Sequence, residues 1–180
     1  WGKCKLATAS FGHGITTTPL QIAKAYAIIS NGGFEINPTL IRNKSKNNKK
    51  RIIKQSTSET INLILRKIVL EGTAKLANVS GYEVGGKTGT ANKSAKGGYS
   101  KKKINTFASI FPTSKPKFVL VILMEETQIN LDYIYEYRDG SGFKLKGSPR
   151  NTAGWTSVEV AGKIIERIGP ILATKYLEIN

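Results

Sequence analysis

The chain has 180 residues, of which 39% are hydrophobic and 22% charged, an ordinary balance that excludes wholesale disorder. Its single cysteine, Cys4, excludes an intrachain disulfide and a cysteine-based zinc site. The net charge of +16 comes largely from two runs, 42–54 and 92–103; neither holds a recognisable nucleic-acid-binding motif, so both read as solvated loops and no specific nucleic-acid partner is expected.

"TTTPLQIAKAYAIISNGG" predicts the first clear helix, with Thr18 as N-cap, Pro19 at the first helical position, Gln21 completing a capping box, and Gly32-Gly33 as the stop. Before it, "SFGHGIT" reads as a Gly-punctuated loop in which His13, the only histidine, has a structural place rather than a general-base role. A second helix is predicted over "STSETINLILRKIVLEG", opened by a Ser56/Glu59 capping box and apolar at Ile61, Ile64, Leu65 and Ile68. "NTFASIFPT" (105–113) and "KFVLVILMEE" (117–126) predict an antiparallel hairpin around a short Pro-containing turn, the second strand apolar enough to be buried on both faces. That strand contains the longest apolar run, "FVLVILM", far short of the roughly 18–20 residues that span a bilayer, so any membrane anchor is expected outside this sequence.

From Thr127 to about Trp155 the chain reads as loop-rich, with Tyr133, Tyr135 and Tyr137 on one face of an extended segment and Trp155 as a packing anchor. A final helix is predicted over "TSVEVAGKIIERIGPIL", with a Thr156/Glu159 capping box and Val160, Ile164, Ile165 and Ile168 as its buried face. Helices, then antiparallel strands, then a helix make an α+β pattern.

The chemistry concentrates in "GYEVGGKTGTAN" (81–92), where two motifs overlap. From Gly81 it satisfies G-x-x-x-x-G-K-[ST], a phosphate-cradling loop; from Lys87 it is K-T-G-T. A phosphate loop must leave a buried strand and open a helix. "KLANVS" ahead is at best a weak strand, and "GTANKSAKGGYSKKK" behind has no apolar helical repeat; only the acidic end of "VILMEE" imitates a magnesium-holding strand. The K-T-G-T reading needs an extended strand with an antiparallel neighbour, and "TFASIF" is available for that. On such a strand Lys87 provides a positive field, Thr88 and Thr90 direct their hydroxyls the same way, Gly89 admits close approach, and the Thr90 N–H can face a developing oxyanion.

Four blocks in order, "SFGHGITTTPLQIAKAYAIISNGG", "EGTAKLANVSGYEVGGKTGTANK", "FASIFPTSKPKFVLVILMEET" and "TAGWTSVEVAGKIIERI", resemble the C-terminal part of class B penicillin-binding proteins, most nearly FtsI-like division transpeptidases of α-proteobacterial type. The resemblance implies a D,D-transpeptidase that works through an acyl-serine, on the periplasmic side of a bacterial inner membrane. It implies stem peptides ending in D-Ala-D-Ala and β-lactams as ligands, division-complex membrane proteins as partners, and neither metal nor cofactor. Carried over by position, Lys87 would polarise the hydrogen-bond network, Thr88 and Thr90 would hold the substrate carboxylate, and the Thr90 N–H would supply half of an oxyanion hole.

Two motifs of that family are wanting. S-x-x-K occurs at 100–103, 114–117 and 141–144, all after Lys87 and none opening an apolar helix, and "SKN" (45–47) has no S-x-x-K before it. Residues 1–180 are therefore expected to be the C-terminal portion of the transpeptidase domain, without the upstream nucleophile segments and inactive alone. Competing readings are a nucleotide hydrolase and a basic nucleic-acid-binding module.

Overall fold

The computed structural model describes residues 5–10, 12, 14–41, 50–95 and 98–176. The readings of Cys4, His13, Ser45–Asn47 and most of the first basic run lie outside the described residues. After a short α1 (Lys5–Ala9), helix α2 spans Pro19–Ser30 and opens as its sequence dictates. Thr18 Oγ1 accepts from the Gln21 N–H, and the Gln21 side chain accepts from the Thr18 N–H at 2.8 Å. Gly32 and Gly33, at φ +87° and +88°, carry the chain out.

Helix α3 (Gln55–Leu70) starts earlier than its capping signature suggests. Its N-cap is Lys54, with no side-chain cap, and Glu59 accepts from Gln55 Nε2 at 2.9 Å instead of closing a box with Ser56. Its buried residues are Ser58, Leu65 and Val69, whereas Ile64 is half exposed, so the buried stripe is rotated from the expected one. Ser58 bridges the helices, donating to Ile29 O and accepting from the Gly32 N–H.

The main sheet has the order β1-β2-β3, all antiparallel: β1 Gly85–Ala95, β2 Gly98–Phe111, β3 Phe118–Glu125. Register partners share a face, so Gly86, Thr88 and Thr90 align with Ser109, Phe107 and Asn105, and through them with Leu120, Ile122 and Met124. Phe107, Phe111, Phe118, Leu120 and Ile122 pack on this face with Val158, Ala161 and Ile165 of α4 (Ser157–Tyr176). The opposite face carries Gly85 and Lys87, and there a Cβ at Gly85 would meet the α3 backbone at Leu65 and Arg66 within 3.1 Å. Helix α2 packs on β2 and β3. The α+β architecture is thus a sheet between helices, α4 covering one side.

Three expectations change. β3 is half-buried, with Leu123 41% exposed, because among the described residues it has a strand neighbour on one side only. The second basic run is a paired ribbon: β1 and β2 stay in register contact as far as Ala95 and Gly98, with a slip between Asn92 and Ser94. Lys93 bonds Glu125 and Glu126 at 2.6 and 3.0 Å, and Lys102 bonds Glu126 at 2.7 Å, pinning the ribbon to the end of β3. "KLANVS" forms a 3-10 turn at Lys75–Ala77 rather than a strand.

Beyond β3, a small hairpin of β4 (Ile134–Glu136) and β5 (Lys144–Lys146) occupies the stretch expected to be loop. Tyr133, Tyr135 and Tyr137 do share a face: all three pack on the core, and Tyr135 meets Trp155 edge-on at 5.0 Å. In α4 the buried residues are Ser157, Val158, Glu159, Ala161, Gly162, Ile165, Gly169 and Ala173, while Ile168 is 38% exposed. Glu159 does not cap the helix. It turns inward to the buried Arg138 guanidinium, bonding it at 2.9 and 3.0 Å, and Thr156 Oγ1 donates to Thr152 O.

Leu20, Leu40, Ile41, Ile52, Leu63 and Ile64 remain exposed in the N-terminal half. Apolar surface of this kind drives association. Residues 1–180 alone are expected to self-associate in sedimentation velocity at micromolar concentration; a single monomeric boundary with a sharp unfolding transition would contradict this.

Candidate active-site cleft

Lys87 to Thr90 lie fully within β1, paired in order with Ala108, Phe107, Thr106 and Asn105. The local sequence explains the extension. Small residues at 85, 86 and 89 let neighbours approach: a Cβ on Gly86 would stand 2.6 Å from Phe107 Cζ, so the Phe107 ring fits only over a glycine. Gly89 is different, since an added Cβ would meet nothing nearer than Thr106 Cβ at 3.9 Å, and the strand is open there. The other edge of β1 carries no strand among the described residues.

Alternation splits the four residues. Thr88 and Thr90 face the α4 side and line a cleft of about 530 Å³, together with Glu71, Thr73, Arg150 and Thr152. Thr88 Oγ1 lies 2.9 Å from Thr73 Oγ1, and Thr90 Oγ1 accepts from the Ala153 N–H at 3.0 Å. Lys87 and Gly89 lie on the opposite face, where Lys87 Nζ donates to Thr88 O at 2.8 Å and meets no carboxylate within ion-pair distance among the described residues. The cleft is therefore a row of hydroxyls whose lining carries two cations, Lys75 and Arg150, against one carboxylate, Glu71, and suits an anion with several acceptor atoms.

Thr73, Arg150, Thr152 and Ala153 escape a motif search. They sit in "EGTA" and "PRNTAG", segments without periodicity, and only the fold carries them to β1. The three S-x-x-K matches fall in β2, in the β2–β3 turn and at the start of β5, so none opens a helix. A second cavity of about 500 Å³, lined by Tyr82, Glu83, Lys115, Lys117 and Tyr176 among others, shares no residue with the first.

The geometry decides between the two overlapping motifs. Gly81 at φ +84° and Glu83 at φ +44° make a turn that runs directly into β1. From Lys87 the chain continues as strand to Ala95 and opens no helix there, so the amides of 81–88 do not converge at a helix N-terminus and the phosphate-loop reading fails.

Residues 1–141 match the penicillin binding protein transpeptidase domain. The chain belongs to this family. It is 36% identical to a peptidoglycan D,D-transpeptidase FtsI homolog of Mesostigma viride over 71% of this chain and 25% of that protein. It is 32% identical to a probable peptidoglycan D,D-transpeptidase FtsI of Caulobacter vibrioides over 97% of this chain and 29% of that protein. A third relative, stage V sporulation protein D of Bacillus subtilis, is 32% identical over 73% of this chain and 22% of its own length. The chain thus spans between about a fifth and a third of the length of these relatives. Helices around an antiparallel sheet accord with the penicillin-binding transpeptidase fold. The family match ends before Arg150, Thr152, Gly154 and Trp155, which line the cleft, but the Caulobacter relative is similar across nearly all of the chain.

Proposed function

We infer that this chain is the C-terminal part of a peptidoglycan D,D-transpeptidase domain and forms the substrate-cradling wall of its site. One observation carries the reading: in a member of the penicillin-binding family, the K-T-G-T segment is an edge strand that aims two hydroxyls, Thr88 and Thr90, into one cleft. The terminal carboxylate of a D-Ala-D-Ala stem peptide, or the carboxylate of a β-lactam, accepts from those hydroxyls. Gly89 leaves room for the peptide along the strand. The Thr90 N–H donates to the oxygen of the attacked carbonyl as it becomes an oxyanion, and the Lys87 charge stabilises the developing negative charge from the other face.

The nucleophile is a serine supplied by a segment outside residues 1–180. Its oxygen attacks the penultimate D-Ala carbonyl, the bond to the last D-Ala breaks, and that residue leaves as the amine. An amine of a neighbouring stem peptide then attacks the acyl-serine and releases the serine hydroxyl. A β-lactam follows the first step and stalls, because its leaving nitrogen remains tethered. The names of relatives support a role in division-associated wall synthesis, and division-complex membrane proteins are the partners this role would need. The site would face the periplasm. None of the described helices is long and apolar enough to cross a membrane.

Fluorescent penicillin is expected to leave residues 1–180 without a stable covalent label, whereas the full-length protein becomes labelled and survives denaturing electrophoresis. Stable labelling of the isolated segment would relocate the nucleophile into it and overturn this division of labour.

A further inference from the structure

Behind the Thr90 strand lies a buried polar cluster that the reaction as described does not use. Asn105 is fully buried and is the register partner of Thr90. Its Nδ2 donates to Thr127 Oγ1 at 2.9 Å and to Asn151 Oδ1 at 3.1 Å. Thr127 and Asn151 bond each other twice, Thr127 Oγ1 donating to Asn151 Oδ1 and Asn151 Nδ2 to Thr127 O. Two residues after Asn151, the Ala153 N–H donates to Thr90 Oγ1 at 3.0 Å. A hydroxyl that accepts from a backbone N–H keeps one proton to give, and the Thr90 hydroxyl has no acceptor for it among the described residues.

We propose that Asn105 is a positioning residue: its carboxamide holds the Asn151–Ala153 strap against β1, so that the Ala153 N–H fixes Thr90 Oγ1 as acceptor and turns the Thr90 proton into the cleft as donor to the substrate carboxylate. The inference rests on the carboxylate reading of the cleft given above. Asn105 Oδ1 remains buried without a partner. Buried amides are ordinarily satisfied, so an apolar side chain would suit this place better if packing alone were at stake. The amide instead joins strands β2 and β1 to the strap, segments that no local signal brings together.

The test compares N-acetyl-D-Ala-D-Ala with its C-terminal amide in NMR titrations of the full-length protein, following the backbone amides of Thr88 to Ala91 and of Ala153. The acid is expected to bind about tenfold more tightly than the amide, the size of one charge-assisted hydrogen bond. Thr90→Val should remove that preference. Asn105→Leu, which introduces no buried charge, should remove it equally, and the double variant should lose nothing further. Ala153→Pro gives a second route, deleting the donor at the first position of a 3-10 turn whose preceding residue, Thr152, is already extended. A merely structural role would weaken acid and amide alike. If Thr90→Val abolishes the preference while Asn105→Leu or Ala153→Pro keeps it, the positioning role is wrong and the carboxylate reading stands. If the unaltered chain does not prefer the acid, both fall.

Discussion

Replacing Arg138 with methionine is expected to lower stability by about 3 kcal/mol, the low end of the cost of breaking a buried pair, because the Tyr133 hydroxyl at 2.9 Å and Lys163 at 3.6 Å still partner Glu159. The side chains of Arg138 and Glu159 are only 3% and 5% exposed. Burial pulls the Arg138 guanidinium down, but hydrogen bonding and charge from Glu159, then Glu166, outweigh it and hold its pKa above the ordinary value. The guanidinium also donates to Leu76 O at 3.1 Å and to Glu136 O at 2.9 Å. One side chain thereby clamps the Lys75–Ala77 turn, whose Lys75 and Leu76 line the cleft, to the β4 segment and α4. There is little slack around it, since a Cβ on Gly162 would approach Arg138 Nη1 to 3.3 Å and Leu76 O to 2.4 Å.

The contrast lies in Glu166, which also bonds Arg138 but is 56% exposed. Glu166→Ala should cost less than about 1 kcal/mol because water replaces the lost partner. The double variant Arg138→Met/Glu159→Leu should recover much of the loss by removing both buried charges. Denaturant midpoints compared at one protein concentration decide this, since association makes the midpoint depend on concentration. Equal effects for Arg138→Met and Glu166→Ala would show that the pair is solvated rather than buried.

Lys87→Met is expected to slow acylation of the full-length protein by fluorescent penicillin about 100-fold, the usual effect of deleting a preorganised charge or donor at a developing oxyanion. The position of the charge matters more than the number of lysines nearby. Lys93, six residues further along β1, is held by Glu125 and Glu126, so its field is largely cancelled. Lys87 contacts a backbone carbonyl and has no acidic partner among the described residues, so its field remains available to a ligand. Lys93→Met should leave the acylation rate within about twofold, because six residues of strand, about 20 Å, put it beyond the screening length of exposed charges. Lys87→Arg should restore part of the rate by returning charge without the compact ammonium. A Lys87→Met rate within threefold of the unaltered protein would remove Lys87 from the mechanism.

Capping shows how far the amino-acid order reaches. Ahead of the predicted helices, the pattern of a hydroxyl followed three residues later by Gln or Glu occurs at Thr18, Ser56 and Thr156, and only at Thr18 does the box close. There Pro19 presets the first turn and Gln21 meets no competing partner. At Glu159 the competitor is Arg138, 21 residues away along the chain but in contact after folding, and a charge-assisted pair outbids a cap in a buried place. No local pattern contains that contest.

The strand character of Lys87–Thr90 and its hairpin with β2 depended on glycines and alternation within about 25 residues, so they could be read before folding. The facing of Thr88 and Thr90 followed from the same two-residue period. Which partners those hydroxyls meet did not. Thr73 arrives from the turn after α3, and Ala153 comes from 63 residues further on, held there by amides that have no motif. The half-burial of β3 and the paired basic ribbon likewise reflect who stands next to each strand, a property of the sheet. Short-range backbone preference needs only neighbours in sequence, whereas a cleft is made where distant segments converge, and their convergence is set by the packing of the whole chain.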